Sequence, residues 1–115
     1  MTIDELIEKV MLFQEEKGFP TSVDLDDTQY LMFRNTLLLE EVSELFHAIT
    51  NRNEIDIADG FADIIYIVIG TCGILNIPID QVLQEVHRSN MTKDNGAVKG
   101  RMYEKPDIEK ILGEN

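Results

Sequence analysis

The stretch from residue 57 to residue 70 restricts this chain's folding more than any other. It reads Ile57-Ala58-Asp59-Gly60-Phe61-Ala62-Asp63-Ile64-Ile65-Tyr66-Ile67-Val68-Ile69-Gly70. A helix this apolar on nearly all sides is expected to be buried. Yet Asp56, Asp59 and Asp63 recur at i, i+3 and i+7, a single narrow acidic stripe on such a helix. A buried carboxylate without a partner is costly, or takes up a proton. No lysine or arginine occurs between Arg52 and Arg88 to neutralise the stripe locally. The acids therefore need either water or a cation brought from elsewhere.

The rest of the chain also reads as helix. Ile3, Leu6, Ile7, Val10 and Met11 share helical spacing over 3–17, with Thr2 or Asp4 as a start and Gly18 and Pro20 as a stop. Residues 19–27 form an acidic loop. A long second helix is expected from about Asp27 to Thr50, punctuated by Asn51 and Asn53. A third runs from Glu54 to Leu75, and a fourth from Pro78 to Ser89 with Ile79, Val82, Leu83 and Val86 on one face. Residues 90–106 read as loop, and a short helix over 107–112 closes the chain. Strand alternation is absent. The class is all-α: one domain over 1–115, antiparallel helices with short connections, and a loop-rich C-terminal tail.

Charge narrows the function. The 115 residues carry 22 acids and 10 bases, a formal charge of −12. Duplex nucleic acid needs a basic surface that releases counterions, so it is not an expected partner. The single cysteine, Cys72, excludes an intramolecular disulfide framework and a cysteine-rich zinc site. No basic-then-apolar leader opens the chain, and the longest apolar run, Ile64 to Ile69, is too short to span a bilayer. The expectation is a soluble cytoplasmic protein with no membrane partner. The charge is also split. Residues 1–60 hold 14 acids and four bases, whereas 86–105 hold Arg88, Lys93, Lys99, Arg101 and Lys105 against two acids. Such a split suits a site with metal on one side and an anion on the other; a solvated tail would show the same pattern.

The second helix carries Glu40, Glu41 and Glu44 among Leu37, Leu38, Leu39, Val42, Leu45 and Phe46. Spacings of three and four place these carboxylates on adjacent turns of one face, where they repel by a few tenths of a kcal/mol. A solvent face tolerates that repulsion. Beside leucine and phenylalanine, a divalent cation shared with Asp63 would relieve it, and Mg²⁺ and Mn²⁺ favour carboxylate oxygens. His47, three residues after Glu44, is either a further ligand or an ordinary helix residue. Asp56 is read as a helix-start residue near the positive end of the dipole.

At these residues the chain resembles a family. Glu40-Glu41-x-x-Glu44, followed by a helix whose acidic stripe ends at Asp63, resembles the EExxE…ExxD signature of the all-α nucleoside triphosphate pyrophosphohydrolases. That superfamily includes MazG, the dimeric dUTPases and phosphoribosyl-ATP pyrophosphohydrolase. Arg34, the segment from Asp59 to Tyr66 with Gly70, the run from His87 to Lys93, Lys99-Gly100 and Pro106-Asp107 are similar to the phosphoribosyl-ATP-pyrophosphohydrolase-like branch, and Phe13, Phe19 and Pro20 fit its opening. One position departs: Gly60 stands where ExxD has Glu. Asp59, about 100° away around the helix, is expected to substitute only through a rotation, a bulge or a water.

The resemblance implies a four-helix-type bundle acting as a homodimer or homotetramer. It implies Mg²⁺-dependent hydrolysis of a nucleoside triphosphate between the α and β phosphates. Glu41, Glu44 and Asp63 would be metal ligands, with Asp59 as a helper and Glu40 and Glu41 as catalytic carboxylates. Asn90, Lys93, Lys99 and Arg101 would bind substrate, with Arg88 assisting, and Tyr103 or Phe13 would stack on the base. The expected role is nucleotide-pool house-cleaning on dUTP or another non-canonical nucleotide. The alternatives are phosphoribosyl-ATP hydrolysis in histidine synthesis and a non-catalytic helical interaction module.

Overall fold

A computed structural model of the protein describes residues 1–95 and 98–113. Five helices follow in order: α1 (Ile3–Glu16), α2 (Thr28–Thr50), α3 (Glu54–Ile74), α4 (Ile79–Asn90) and α5 (Ile108–Gly113). No strand occurs among the described residues, so the all-α class holds. The helix ends fall within a residue or so of those read from sequence. The loop expected over 90–106 begins one residue later, since Asn90 still belongs to α4, and is observed at its other described positions; Gly96 and Ala97 lie outside the described residues. The chain forms two compact units, Met1–Asn76 and Ile77–Asn115.

In the first unit, local chemistry sets each helix end. The Thr2 hydroxyl caps α1 by accepting from the Glu5 amide at 3.1 Å, and the Asp27 carboxylate caps α2 through the Tyr30 amide at 3.1 Å. Past α1, Gly18 adopts φ +77°, the Gly18 amide donates to Glu15 and the Phe19 amide to Gln14. This is a Schellman ending, which requires a left-handed residue at that position. The turn between α2 and α3 repeats the geometry, the Arg52 amide donating to Ile49 and the Asn53 amide to Ala48, but here the left-handed residue is Arg52 at φ 55°. Asn53 then caps α3 by accepting from the Asp56 amide at 3.1 Å, which places Asp56 in the first turn as expected. So short a connection makes α2 and α3 antiparallel neighbours.

Helix α3 packs against both α2 and α1. The fully buried apolar side chains, Val10, Ala48, Ile69 and Ile74, come from all three helices. A polar cluster accompanies them. Arg34, only 7% exposed, donates from Nε to the Thr71 hydroxyl at 3.0 Å and from Nη2 to the Ile67 carbonyl at 2.9 Å. Its Nη1 reaches Gln14 Oε1 at 3.5 Å, and Gln14 in turn donates to the Pro20 carbonyl at 3.3 Å. One guanidinium thus joins α1, α2 and α3.

The expected all-round burial of α3 is not observed. Its neighbours cover two flanks and leave Phe61 and Ile65 about half exposed. Leu39 and Phe46 on α2 are more exposed still. By length and composition alone α3 could also cross a membrane, which counting only the uninterrupted run Ile64–Ile69 had excluded. An 18-residue window of α3 admits two charged residues and remains apolar on average.

In the second unit, α4 contacts α5. Buried Ser89 donates to the Glu104 carbonyl at 2.7 Å, and Thr92 accepts from the Glu104 amide at 2.9 Å, which fastens the tail to the end of α4. The Glu85 carboxylate accepts two bonds from Arg88 and one from the Asp107 amide at 2.6 Å, beside the cap of α5. These bonds, Arg88 first, hold the Glu85 carboxyl down at about 2.

Arg52 supplies a stability test. A left-handed residue with a Cβ costs roughly 1–2 kcal/mol, and glycine avoids that cost. Arg52→Gly is expected to raise unfolding free energy by about 1 kcal/mol in urea titrations. A loss of stability would show that the Arg52 side chain contributes more than its backbone costs.

Candidate active site

The acids of α2 and α3 meet in one groove. Glu44, His47, Ala48 and Asn51 form one wall and Asp56, Asp59, Gly60 and Asp63 the other, around a space of about 270 Å³. Gly60 is buried against α2, and a Cβ there would sit 3.3 Å from Leu45 Cδ1. The position that carries glutamate in the ExxD pattern is therefore spent on helix packing. Asp59 lines the groove. Helix α3 is regular throughout, and Asp59 and Asp63, four apart, share one face of it.

Glu41 is half-buried, its Oε2 is closed off from water, and that oxygen has no hydrogen-bond partner. Burial is the first cause that pushes its pKa above the usual carboxylate value, followed by the charges of Glu44 and Asp63, a side-chain hydrogen bond with Glu44, and the charge of Asp59. These are three of the acids singled out from sequence, and all act on one carboxyl. Glu44 and Asp59 are exposed and Asp63 is half-buried. No lysine or arginine pairs with any of them, since the ion pairs among the described residues are those of Arg88 with Glu85 and Glu104. Nor do any three His, Cys, Asp or Glu side chains among the described residues form a ready cation cage. Glu44, Asp59 and Asp63 line the groove; Glu41, on which their charges act, does not.

Glu40 is placed differently. It is exposed, does not line the groove, and is not among the acids that act on Glu41. His47 and Asp56 do line the groove, at the end near the α2–α3 turn. The tail candidates all belong to the second unit. Asn90 is exposed at the end of α4, and Lys93 is half-buried. The Lys99 ammonium lies 5.3 Å from the centre of the Tyr103 ring, a cation–π contact. Arg101 is exposed. Arg88, expected to assist with phosphates, is committed to Glu85 and Glu104 at 2.7 and 2.9 Å.

Sequence reasoning missed a second cavity in the first unit. About 240 Å³ is enclosed by side chains that include Phe13, Phe19, Tyr30, Phe33, Leu37 and Tyr66, with Arg34 in its wall. Its aromatic contributors are scattered from residue 13 to residue 66, so spacing could not show that they converge.

Two antiparallel helices present acids across a groove in an all-helical chain. Comparison with known families agrees and goes further. The family model for phosphoribosyl-ATP pyrophosphohydrolase matches residues 7–90, which include Glu40, Glu41, Glu44, Asp59, Asp63 and Asn90. The chain belongs to that family, within the MazG-like superfamily of all-α pyrophosphohydrolases. It is a pyrophosphohydrolase, a hydrolase of phosphoric anhydride bonds. No curated protein matches the chain in sequence.

The Glu41 carboxyl predicts a pH dependence. Its folded pKa lies above the unfolded value of 4.5, so the folded state binds the proton more tightly. The stability this contributes is fully present below 4.5 and is lost as pH rises through the raised folded value. In EDTA, Glu41→Gln should therefore gain stability relative to the parent as pH rises across that window. A difference that stays constant with pH, measured by urea unfolding, would contradict the assignment.

Proposed function

We propose that the groove between α2 and α3 is a metal-dependent site for cleaving the α–β phosphoric anhydride of a nucleotide, with phosphoribosyl-ATP as the first candidate substrate. The observation that carries the site is Glu41: a carboxyl with one oxygen sealed and unpartnered, raised by three other acids and by no base. A donor set of four carboxylates suits a hard divalent cation such as Mg²⁺, or Mn²⁺. Glu41, Glu44, Asp63 and Asp59 are the residues that would hold it. When bound, such an ion neutralises phosphate oxygens and lowers the pKa of coordinated water.

The protein's own task is positioning and charge control, because phosphoryl chemistry needs little covalent help. Water adds across the anhydride, the α–β bridge breaks, and a monophosphate and pyrophosphate leave. Glu40, exposed beside the cluster, is the candidate acceptor for the water's proton. Asn90, Lys93, Lys99 and Arg101 are the candidate contacts to sugar and phosphate. A second copy of the chain is the proposed cover for exposed Leu39, Phe46, Phe61 and Ile65.

The substrate reading shifts from the sequence expectation. House-cleaning of dUTP or another non-canonical nucleotide was the first reading there, and phosphoribosyl-ATP the alternative. The family match supports the alternative. Membership in an enzyme family also sets aside the non-catalytic interaction module.

The test is a product assay on phosphoribosyl-ATP and a panel of nucleoside triphosphates, with and without Mg²⁺ or Mn²⁺. Pyrophosphate and a monophosphate should form only with metal, fastest from phosphoribosyl-ATP. Fastest turnover of dUTP or another non-canonical nucleotide would return the house-cleaning reading, and release of orthophosphate would sink the bond assignment. Glu44→Gln keeps the shape and removes the charge. It should cut kcat at least a hundredfold, about 2.7 kcal/mol, with helicity unchanged. Asp59→Asn should weaken Mg²⁺ affinity; parent-level affinity and activity would remove Asp59 from the site.

A further inference from the structure

We propose that Arg34 and Thr71 are positioning residues that clamp α2 to α3 in the one register that sets Glu41 opposite Asp63, an inference that rests on the reading of the acidic groove above. Apolar packing alone discriminates poorly here. From residue 64 to residue 69, α3 reads Ile-Ile-Tyr-Ile-Val-Ile. Side chains so alike on neighbouring faces pack comparably in more than one rotation, and such cores lose uniqueness before they lose stability. A buried polar contact that forms in a single alignment supplies the missing discrimination.

The clamp is a closed ring of hydrogen bonds. Arg34 Nε donates to Thr71 Oγ1 at 3.0 Å, Arg34 Nη2 donates to the Ile67 carbonyl at 2.9 Å, and the Thr71 hydroxyl donates to that same carbonyl at 3.0 Å. Thr71 thereby directs its hydrogen into α3 and turns a lone pair toward α2. Arg34 is buried, so an unmade bond at Nε would leave a charged donor shut away from water. Within α3 only Thr71 and Tyr66 carry hydroxyls. A slip of one helical turn would bring Ile67, Val68, Ile74 or Leu75 to the place of Thr71, and none of them can close the ring.

Counting residues carries the clamp to the groove. Arg34 Nη2 lies against Gly70, where an added Cβ would have no room. Seven residues on from Arg34 along α2 stands Glu41, and seven residues back from Gly70 along α3 stands Asp63. Two turns of helix rise about 10.5 Å and return to within about 20° of the same face. Because the helices run antiparallel, both steps lead the same way and end opposite one another. The contacts beyond agree. Leu45, one turn past Glu41, meets Gly60, one turn before Asp63. Ala48, seven residues past Glu41, is buried as Arg34 is. The charge of Asp63 also acts on Glu41. A slip of α3 by one residue would move Asp63 by about 1.5 Å and turn it by about 100°. A misplacement of about 1 Å can cost about a hundredfold in rate.

The experiment compares Thr71→Val, Thr71→Ser, Arg34→Lys and Ile74→Val in the full chain. Valine keeps the shape of threonine and removes the hydroxyl, whereas serine keeps the hydroxyl. Lysine keeps the charge of Arg34 and loses the planar fork that spans hydroxyl and carbonyl. Ile74→Val trims the buried core of the same helix and removes none of the three bonds. The first readout needs no metal: the nuclear Overhauser contact between the Leu45 methyls and the Gly60 Hα protons. The others are Mg²⁺ affinity by calorimetry and kcat on the best substrate of the panel above. Thr71→Val and Arg34→Lys should weaken the Leu45–Gly60 contact, and each should lower Mg²⁺ affinity and kcat by about tenfold. Thr71→Ser and Ile74→Val should stay near the parent in all three.

Parent-level Mg²⁺ affinity and kcat in Thr71→Val overturn the proposal. An equal loss in Ile74→Val also overturns it, because the effect would then follow core packing and not register. Loss in Thr71→Ser as deep as in Thr71→Val does the same, since the hydroxyl would not be what matters. Should Thr71→Val fail to fold, Arg34→Lys decides on the same readouts. The groove and the clamp fail separately. A parent protein that neither binds Mg²⁺ nor cleaves any nucleotide sinks the groove reading, and the metal-free Leu45–Gly60 contact then decides the clamp. Metal-dependent cleavage that Thr71→Val and Arg34→Lys leave intact sinks the clamp alone.

Discussion

The first unit depends on one buried cation. Arg34 sits in the middle of the three-helix packing and satisfies its donors with a hydroxyl, a carbonyl and an amide oxygen, not with a carboxylate. Burying a guanidinium is tolerable only when its hydrogen bonds are made, so each acceptor becomes a positional demand. Thr71 must lie one turn after Ile67 on α3, Gln14 must face inward on α1, and residue 70 must have no side chain. A Cβ at Gly70 would stand 2.6 Å from Arg34 Nη2. With these demands met, α3 is held in rotation about its own axis. That rotation aims Asp59 and Asp63 at α2. The acidic groove is in this sense downstream of a cation that is no part of it.

Much of this was legible in the sequence. Helix boundaries followed from apolar spacing, and the ends of α1 from Thr2 and Gly18, because these signals are local and act within one turn. The acidic stripe was legible because Asp56, Asp59 and Asp63 recur on one face of a largely apolar helix. What escaped was long-range. The resemblance marked Arg34 without indicating what it touches, since its partners lie 20 and 37 residues away. That Glu40 is exposed while Glu41 is half-buried depends on the rotation of α2, which an EExxE pattern does not encode. Gly60 read as a missing ligand because a motif aligns residue types, whereas the helices use that position for close approach to Leu45.

The charge distribution also acquires a physical reason. In a chain of net charge −12, acids scattered over a surface would be screened and inert. Four of them are instead gathered where one oxygen is shut away from water. The chain keeps its opposite charge for the tail, where Glu85 and Glu104 occupy Arg88 and leave Lys93, Lys99 and Arg101 outside any ion pair of the described residues.

The aromatic cavity has an optical consequence. The protein has no tryptophan and three tyrosines. Two of them, Tyr30 and Tyr66, line that cavity, and the third, Tyr103, belongs to the second unit. Near-ultraviolet emission from the native chain therefore originates largely at one place in the first unit. With Tyr103 replaced by phenylalanine it would originate there alone, so the protein carries a label-free fluorophore in that cavity.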